Sequence, residues 1–461
     1  LLRRIYNLLF PAVFLLMLPS YLRRMFRRGN YRNAFGQRFG VYSPELRARL
    51  AQGPARPWIQ AVSVGEMLVA LKLVAALRAR CPDLPLTLST TTTTGFALAS
   101  ERAGAGVEVV YTPIDAAICV RRAFDALRPS RVIIVDGGLW PNLLWEARAR
   151  GVGIALVNAR LSPRSERRWR MLPSIARPVM ELLDLVCVPD AADVARWETL
   201  GVHTGNVRQT GSIKFDDQTP YPSTDAPAGG QTPDGVPTRA SAAAGLRDYL
   251  DRLGIPANAP VLLAGSTHPG EERALCEVFV RLRKRFPDLF LILAPRHAER
   301  AREILAELAA FRLRIVARST AQSGSLTPSL PSKPEVLLID TTGELRDWYS
   351  MATIVFIGKS LTAFGGQNPM EAVAAGKPVI FGPNMDNFRD LAAGLVSMGG
   401  ALQVNDAAAL ERACADLLED APARARQAAA AARILAGHAG AALRTADLLL
   451  SGGGFPSCPS G

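Results

Sequence analysis

Gly358-Lys-Ser-Leu-Thr-Ala-Phe-Gly-Gly-Gln-Asn-Pro-Met-Glu371 is the stretch that decides the fold class. It follows an apolar run, residues 352–357, that reads as a buried parallel strand, and it ends on an acid that opens a helix. Gly358, Gly365 and Gly366 allow close backbone approach, and Pro369 suits the first turn of a helix. Free amides at that helix start would face a phosphate, and Glu371 could reach ribose hydroxyls. A plain strand-to-helix turn explains the same residues equally well, so the rest of the chain has to decide.

Outward from this loop the same alternation recurs. Apolar runs at 58–64, 84–89, 107–111, 131–135, 154–158 and 185–188 are separated by amphipathic stretches. A second series occupies 261–264, 289–294, 313–316, 336–339, 354–357 and 378–381. Such alternation predicts parallel strands crossed by helices, an α/β fold of two doubly wound, Rossmann-like domains facing a central cleft. The predicted organisation is a membrane anchor at 1–28, a first domain at 29–216, a flexible insertion at 217–244 rich in Pro, Gly, Ser, Thr and Ala, a second domain at 245–450 and a loose tail at 451–461. Residues 319–334 read as a surface loop. Ligands of this architecture bind at the carboxyl ends of the strands.

With 461 residues, 49% hydrophobic and 21% charged, the chain has the composition of a folded two-domain protein. A net charge of +13 favours an anionic partner: a membrane surface, a phosphorylated substrate or nucleic acid. Nucleic acid is set aside, because only 7% of residues are aromatic and no zinc-finger or aromatic-basic recognition pattern occurs. The six cysteines are scattered without a Cys-x-x-Cys pair, which predicts reduced thiols and no zinc site. Residues 5–22 form an apolar run bracketed by Arg3 and Arg4 on one side and Arg23, Arg24, Arg27 and Arg28 on the other. It reads as a membrane anchor, although eighteen helical residues cover only about 27 Å of a ~30 Å hydrocarbon core, and Pro11 and Pro19 interrupt it. The alternatives are a signal peptide, for which no small-residue cleavage site is evident, and an apolar helix packed on the domain. The arginines place the globular part on the cytoplasmic side, against an anionic inner surface.

Several strand ends carry chemistry. Trp58-Ile-Gln-Ala-Val-Ser-Val-Gly-Glu66 delivers Glu66 to the cleft, either as a helix cap or as a general base. Ser89-Thr-Thr-Thr-Thr-Thr-Gly95 could bind an anion or cap a helix. Asp136-Gly-Gly-Leu-Trp-Pro-Asn142 sets Asp136 at the same edge, Asn158-Ala-Arg160 adds a cation, and Gly211-Ser-Ile-Lys-Phe-Asp216 adds Lys214. In the second half, Gly265-Ser-Thr-His268-Pro-Gly-Glu271-Glu272 and Pro295-Arg296-His297 follow strands. His268 and His297 are polar ligand contacts or ordinary loop histidines. Asp340-Thr-Thr-Gly343-Glu344 repeats the glycine-loop pattern. The chain lacks GxxxxGK[ST] and an Asp-x-Asp pair at a strand end, so neither a P-loop nor a metal-assisted departure of the nucleotide is expected.

Together these segments, with Leu139-Trp-Pro-Asn142, Val157-Asn-Ala-Arg-Leu-Ser162 and Gly343-Glu-Leu345, resemble the 3-deoxy-D-manno-octulosonic acid (Kdo) transferases of lipopolysaccharide synthesis. The resemblance covers nearly the whole chain after residue 28. It implies a glycosyltransferase-B fold on the inner membrane, CMP-Kdo as donor, a phosphorylated lipid A precursor as acceptor, inversion at the transferred sugar, and no cofactor or metal. By motif, Glu66 resembles the catalytic base and Lys214 a stabiliser of the transition state. Pro295, Arg296, Thr342, Gly343, Glu344, Asn368, Pro369, Met370 and Glu371 correspond to CMP-binding positions, with Asp136 and His297 as further candidates. The family pattern Glu-Thr-Glu-Leu-Trp-Pro-Asn is Asp136-Gly-Gly138-Leu-Trp-Pro-Asn here, so the second acid is missing and the first is shortened. Two other readings remain: a UDP-sugar transferase of the same fold, and a membrane-attached binding protein without activity.

Overall fold

The computed structural model describes residues 2–28, 34–216, 239–322 and 333–455. Seven strands form the first sheet: β1 (Arg56–Gln60), β2 (Leu86–Thr90), β3 (Val107–Tyr111), β4 (Pro129–Val135), β5 (Gly153–Val157), β6 (Leu185–Val188) and β7 (Val207–Gln209). All neighbours are parallel, in the order β3-β2-β1-β4-β5-β6-β7. Seven more form the second: β8 (Val261–Thr267), β9 (Phe290–Pro295), β10 (Ile315–Ala317), β11 (Val336–Leu338), β12 (Ile354–Ile357), β13 (Val379–Phe381) and β14 (Ala401–Gln403). These too are parallel, in the order β10-β11-β9-β8-β12-β13-β14.

The continuous apolar runs follow from burial on both sheet faces. Ile133 and Val135 of β4 pack into one core with Leu73 and Leu77 of the helix Val64–Arg80. Val132 and Ile134 pack into the opposite core with Phe124 and Leu144. In the second sheet Leu262, Ala264, Leu291, Leu293, Ile354 and Phe356 fill a core with Phe279 and Leu410. In each sheet the chain leaves one central strand on one side and later returns to its other side. This reversal falls between β1 and β4 in the first sheet and between β8 and β12 in the second. The carboxyl ends of those pairs are where such sheets bind ligands.

Several boundaries differ from the sequence reading. The chain divides into a first unit, residues 1–217 with 438–461, and a second, residues 218–437. The second domain therefore ends well before 450. The closing helix Ala441–Ser451 belongs to the first unit, where Ala441, Ala442, Ala446 and Leu449 pack with residues of the helix Val64–Arg80. Of the expected insertion, residues 217–238 lie outside the described residues, but a helix runs over Arg239–Arg252. The reason is that the Ala-rich end of that insertion favours helix. Residues 323–332 and 456–461 also lie outside the described residues, and with them most of the expected surface loop and tail. The start of the tail is held rather than loose, since Arg131 Nη1 donates to Leu449 O (3.1 Å) and Gly453 O (2.8 Å).

The N-terminal segment is one helix, Leu2–Arg28, with both prolines inside it. No helix among the described residues is long and apolar enough to cross a membrane, and the expected anchor is not shown. Part of the helix instead meets the first unit. Tyr6 Oη donates to Asp115 Oδ2 (2.9 Å), Asn142 Nδ2 to Asn7 Oδ1 (2.7 Å), and Arg3 pairs with Glu146 (3.2 Å). Leu8, Leu9, Leu15 and Leu16 are exposed. Cys119, Cys187, Cys276 and Cys414 are free and buried, whereas Cys81 is disulfide-bonded, against the expectation of reduced thiols throughout.

Candidate active site

In the first unit, β1 leads through residues 61–63 into the helix Val64–Arg80, with Ser63 as its cap. Ser63 Oγ accepts from Glu66 N (3.3 Å), and the Glu66 carboxylate turns back to accept from Val62 N through Oε2. This near-reciprocal arrangement resembles a capping box. Glu66 is therefore a cap, its carboxylate held by the Val62 amide and by the backbone and side chain of Ser63. Burial holds the Glu66 pKa above the ordinary carboxylate range, and the nearby charge of Asp136 raises it further against the Val62 amide. A carboxylate tuned in this direction suits a general base.

Asp136 follows β4 in the left-handed backbone region (φ 66°), which turns its carboxylate toward the next loop. There Oδ1 accepts from Asn158 Nδ2 (2.6 Å). Burial raises the Asp136 pKa, while Asn158, Arg160 and Lys214 oppose the rise. Asn158, at the end of β5, is 1% exposed and also left-handed (φ 51°). Its Oδ1 accepts from Ser212 Oγ (3.2 Å) and Ile213 N (3.0 Å), the turn that carries the exposed Lys214. The structure thus brings Glu66, Asp136 and Lys214 into one electrostatic neighbourhood, with Asn158 as a hub that the motif reading did not single out. Its signal in the sequence is an Asn at a strand end, a residue type enriched at positive φ. The hydroxyl run 89–95 is resolved as a cap, since Thr92 Oγ1 accepts from Gly95 N (3.1 Å). A Cβ at Gly138 would lie 3.3 Å from Trp140 Nε1 and 3.4 Å from Val62 Cγ2. The missing second acid would therefore project beside the residue whose amide holds Glu66.

In the second unit the loop after β12 begins on a tightly packed turn. A Cβ at Gly358 would come within 2.4 Å of Ser266 O, so the close backbone approach is real. The amides beyond it, however, are occupied. Glu271 Oε2 accepts from His268 N (2.9 Å) and Lys359 N (2.7 Å), and Oε1 from Ser360 N and Leu361 N (both 2.9 Å). A carboxylate of the chain, fully buried at 0% exposure, thus takes the amides at the start of the loop, whereas the anion was expected at the helix start beyond Pro369. The later part of the loop keeps its expected geometry. Gly366 is left-handed (φ 68°), Asn368 Oδ1 accepts from Met370 N (3.1 Å), and Pro369 precedes the short helix Met370–Ala374. Glu371 lies half-buried in its first turn, whereas the Met370 side chain is in the core.

Pro295 ends β9, and Arg296, exposed, has no side-chain partner among the described residues. His297 is exposed and 3.2 Å from Glu299, with its ring 6.0 Å from that of His268. His268 Nε2 is buried without a hydrogen-bond partner, and burial followed by the charge of Lys359 depresses the His268 pKa. Thr342 and Gly343 are exposed, Gly343 at φ 90°. Glu344 is already engaged by Arg318 Nε (3.1 Å) and Trp348 Nε1 (3.3 Å). Among the described residues, no group of three or more His, Cys, Asp or Glu side chains is placed to hold a metal.

A family model described as 3-deoxy-D-manno-octulosonic-acid transferase (kdotransferase) matches residues 33–217. A Bordetella pertussis 3-deoxy-D-manno-octulosonic acid transferase is 36% identical over 438 residues, 93% of this chain and 94% of the relative. This chain belongs to the 3-deoxy-D-manno-octulosonic acid transferase family. The Haemophilus influenzae Kdo transferase is 31% identical across 91% of both chains. Like these Kdo transferases, the chain is a glycosyltransferase acting in lipopolysaccharide synthesis. A glycosyltransferase from Rickettsia africae has a similar fold, with a TM-score of 0.53 at 10% identity, covering 86% of this chain and 98% of that one. The S. aureus MnaA–UDP complex has a TM-score of 0.54 at 14% identity, covering 86% and 96%. At such identities the likeness concerns the fold alone.

Proposed function

We propose that this Kdo transferase moves Kdo from CMP-Kdo to a phosphorylated lipid A precursor with inversion, Glu66 taking the proton of the acceptor hydroxyl. The observation that carries the reading is the half-buried Glu66 carboxylate at the β1/β4 reversal, raised in pKa by burial and by the neighbouring Asp136. Lys214 supplies positive charge to the transition state, and Asp136 orients and tunes the group rather than receiving the proton. In the second unit Arg296 meets the donor phosphate, with Pro295, Thr342, Gly343, Asn368, Pro369 and Glu371 around the nucleotide and His297 beside it. Glu344 and Met370 contribute through their backbone, because their side chains are engaged or buried. A fold of the glycosyltransferase-B type is part of this proposal. So is peripheral attachment to the cytoplasmic face of the inner membrane, supported by the exposed leucines of the helix Leu2–Arg28 and by the exposed Met171 and Leu172 beside Arg167, Arg168 and Arg170.

Incubation of the detergent-solubilised protein with CMP-Kdo and a tetra-acylated lipid A precursor, followed by mass spectrometry of the lipid, tests the reading. Added Kdo mass is expected, and its number of units is read directly. No product with CMP-Kdo but product with a UDP-sugar would overturn it.

A further inference from the structure

The turn that carries Lys214 is built from three parts of the chain. Asn158 Oδ1 accepts from Ile213 N and Ser212 Oγ on one side. Lys72 Nζ donates to Ile213 O (3.3 Å) and Lys214 O (3.1 Å) on another. The third side comes from more than two hundred residues downstream, where the chain re-enters the first unit at His438. His438 Nδ1 accepts from Ser212 N (3.2 Å), which requires an unprotonated Nδ1. Its ring lies 5.6 Å from that of Phe215, and the Lys214 ammonium lies 5.9 Å from the same ring. The contact is locked in place on both sides: Asp216 accepts from Ala441 N (3.0 Å) and Ala442 N (2.9 Å), and Arg444 donates twice to Thr210 O.

His438 is 4% exposed. An imidazole that only filled space there would need neither a lone pair aimed at a backbone amide nor a ring set against that of the residue after Lys214. We propose that His438 is a positioning residue for the reaction: it fixes the 212–215 turn through Ser212 N and Phe215, and thereby the place of the Lys214 ammonium. The inference deepens the proposed role of Lys214 and rests on it.

The test compares kcat and KM for CMP-Kdo and the lipid A precursor in four single variants and one double variant. His438→Asn places an amide oxygen where Nδ1 stood, so it should restore the Ser212 contact and turn over faster than His438→Gln, though below the parent because the ring against Phe215 is gone. His438→Gln carries its oxygen one bond further out and should lower kcat roughly ten- to hundredfold with KM for CMP-Kdo unchanged. Phe215→Leu, which leaves the Ser212 contact intact, should lower kcat in the same direction and covers the case in which His438→Gln fails to fold. Lys214→Ala should be slow, and adding His438→Gln to it should cost almost nothing more, since both act through one group. If Lys214→Ala turns over normally, the proposed role of Lys214 falls and the inference with it. If Lys214→Ala is slow while His438→Gln and Phe215→Leu are not, only the inference falls. Equal slowing by His438→Gln with and without Lys214 also overturns it, as does a His438→Asn variant as slow as His438→Gln.

Discussion

Replacing Glu66 by glutamine separates its two roles. The amide keeps an oxygen that can accept from Val62 N, so the cap at the start of the helix Val64–Arg80 survives. What disappears is the capacity to take a proton, and removal of a positioned base lowers turnover by about 100-fold or more. Stability should move the opposite way. The folded-state pKa of Glu66 lies above its ordinary value, through burial and then the charge of Asp136. The stability linked to this group is therefore complete below the unfolded pKa and is lost as pH rises through the folded one. At neutral pH the ionised side chain weakens the fold, and glutamine should raise the melting temperature there, with the difference closing in acid. In the parent enzyme, kcat/KM should rise with pH along a limb displaced above the normal carboxylate range. Asp136→Asn removes the neighbouring charge and should move that limb downward while slowing turnover less than Glu66→Gln. Steady-state kinetics between pH 4 and 9, with thermal unfolding in the same buffers, measure all three effects. A Glu66→Gln variant within a few-fold of parental turnover, or an Asp136→Asn variant slower than it, would refute the assignment of the base.

Arg296→Ala should weaken CMP binding roughly ten- to hundredfold by calorimetry, the loss of one charge-assisted contact, and unchanged affinity would remove Arg296 from the donor site. Glu271→Ala strips four amides of their acceptor and should destabilise the chain by about 3 kcal/mol or more in urea unfolding; a change below 1 kcal/mol would show that those amides find other partners. Removing residues 1–28 should leave the sheets folded but lower the melting temperature, because Tyr6–Asp115 and Arg3–Glu146 are lost. Burial holds Asp115 at a pKa of about 6 in the intact chain, so its titration should move toward the ordinary range once the helix is gone, and an unmoved pKa would show that the helix does not cover it.

Twelve of the fourteen strands were legible because a strand covered on both faces must be apolar throughout. The two that escaped, β7 and β14, are three-residue edges whose Arg208, Gln209 and Leu402 face water. Glu66, Asp136 and Lys214 could be found because each ends or follows a strand. Their coupling through Asn158 depends on two left-handed residues and a turn over fifty residues away, which local pattern does not encode. In the loop 358–371 nothing local says that Glu271, about ninety residues earlier, takes the amides of Lys359, Ser360 and Leu361, whereas Asn368 and Pro369 at the helix start could be read from the motif itself. The N-terminal run was read from its apolar stretch and flanking arginines chiefly as an anchor, with packing on the domain as an alternative, and Tyr6, Asn7 and Arg3 tie part of it to the first unit.

The return of the last helix to the first unit also sets an order of assembly. Residues 218–437 are continuous, so that unit has all of its own chain as soon as Gly437 leaves the ribosome. The earlier-made unit does not. Its core beside Leu73 and Leu77 stays open until Ala441, Ala446 and Leu449 have been synthesised and have docked, so the part of the protein made first is the part finished last. During that interval it presents an unfilled apolar groove that only the newest stretch of the chain can close, reversing the usual N-terminal-first sequence of domain folding.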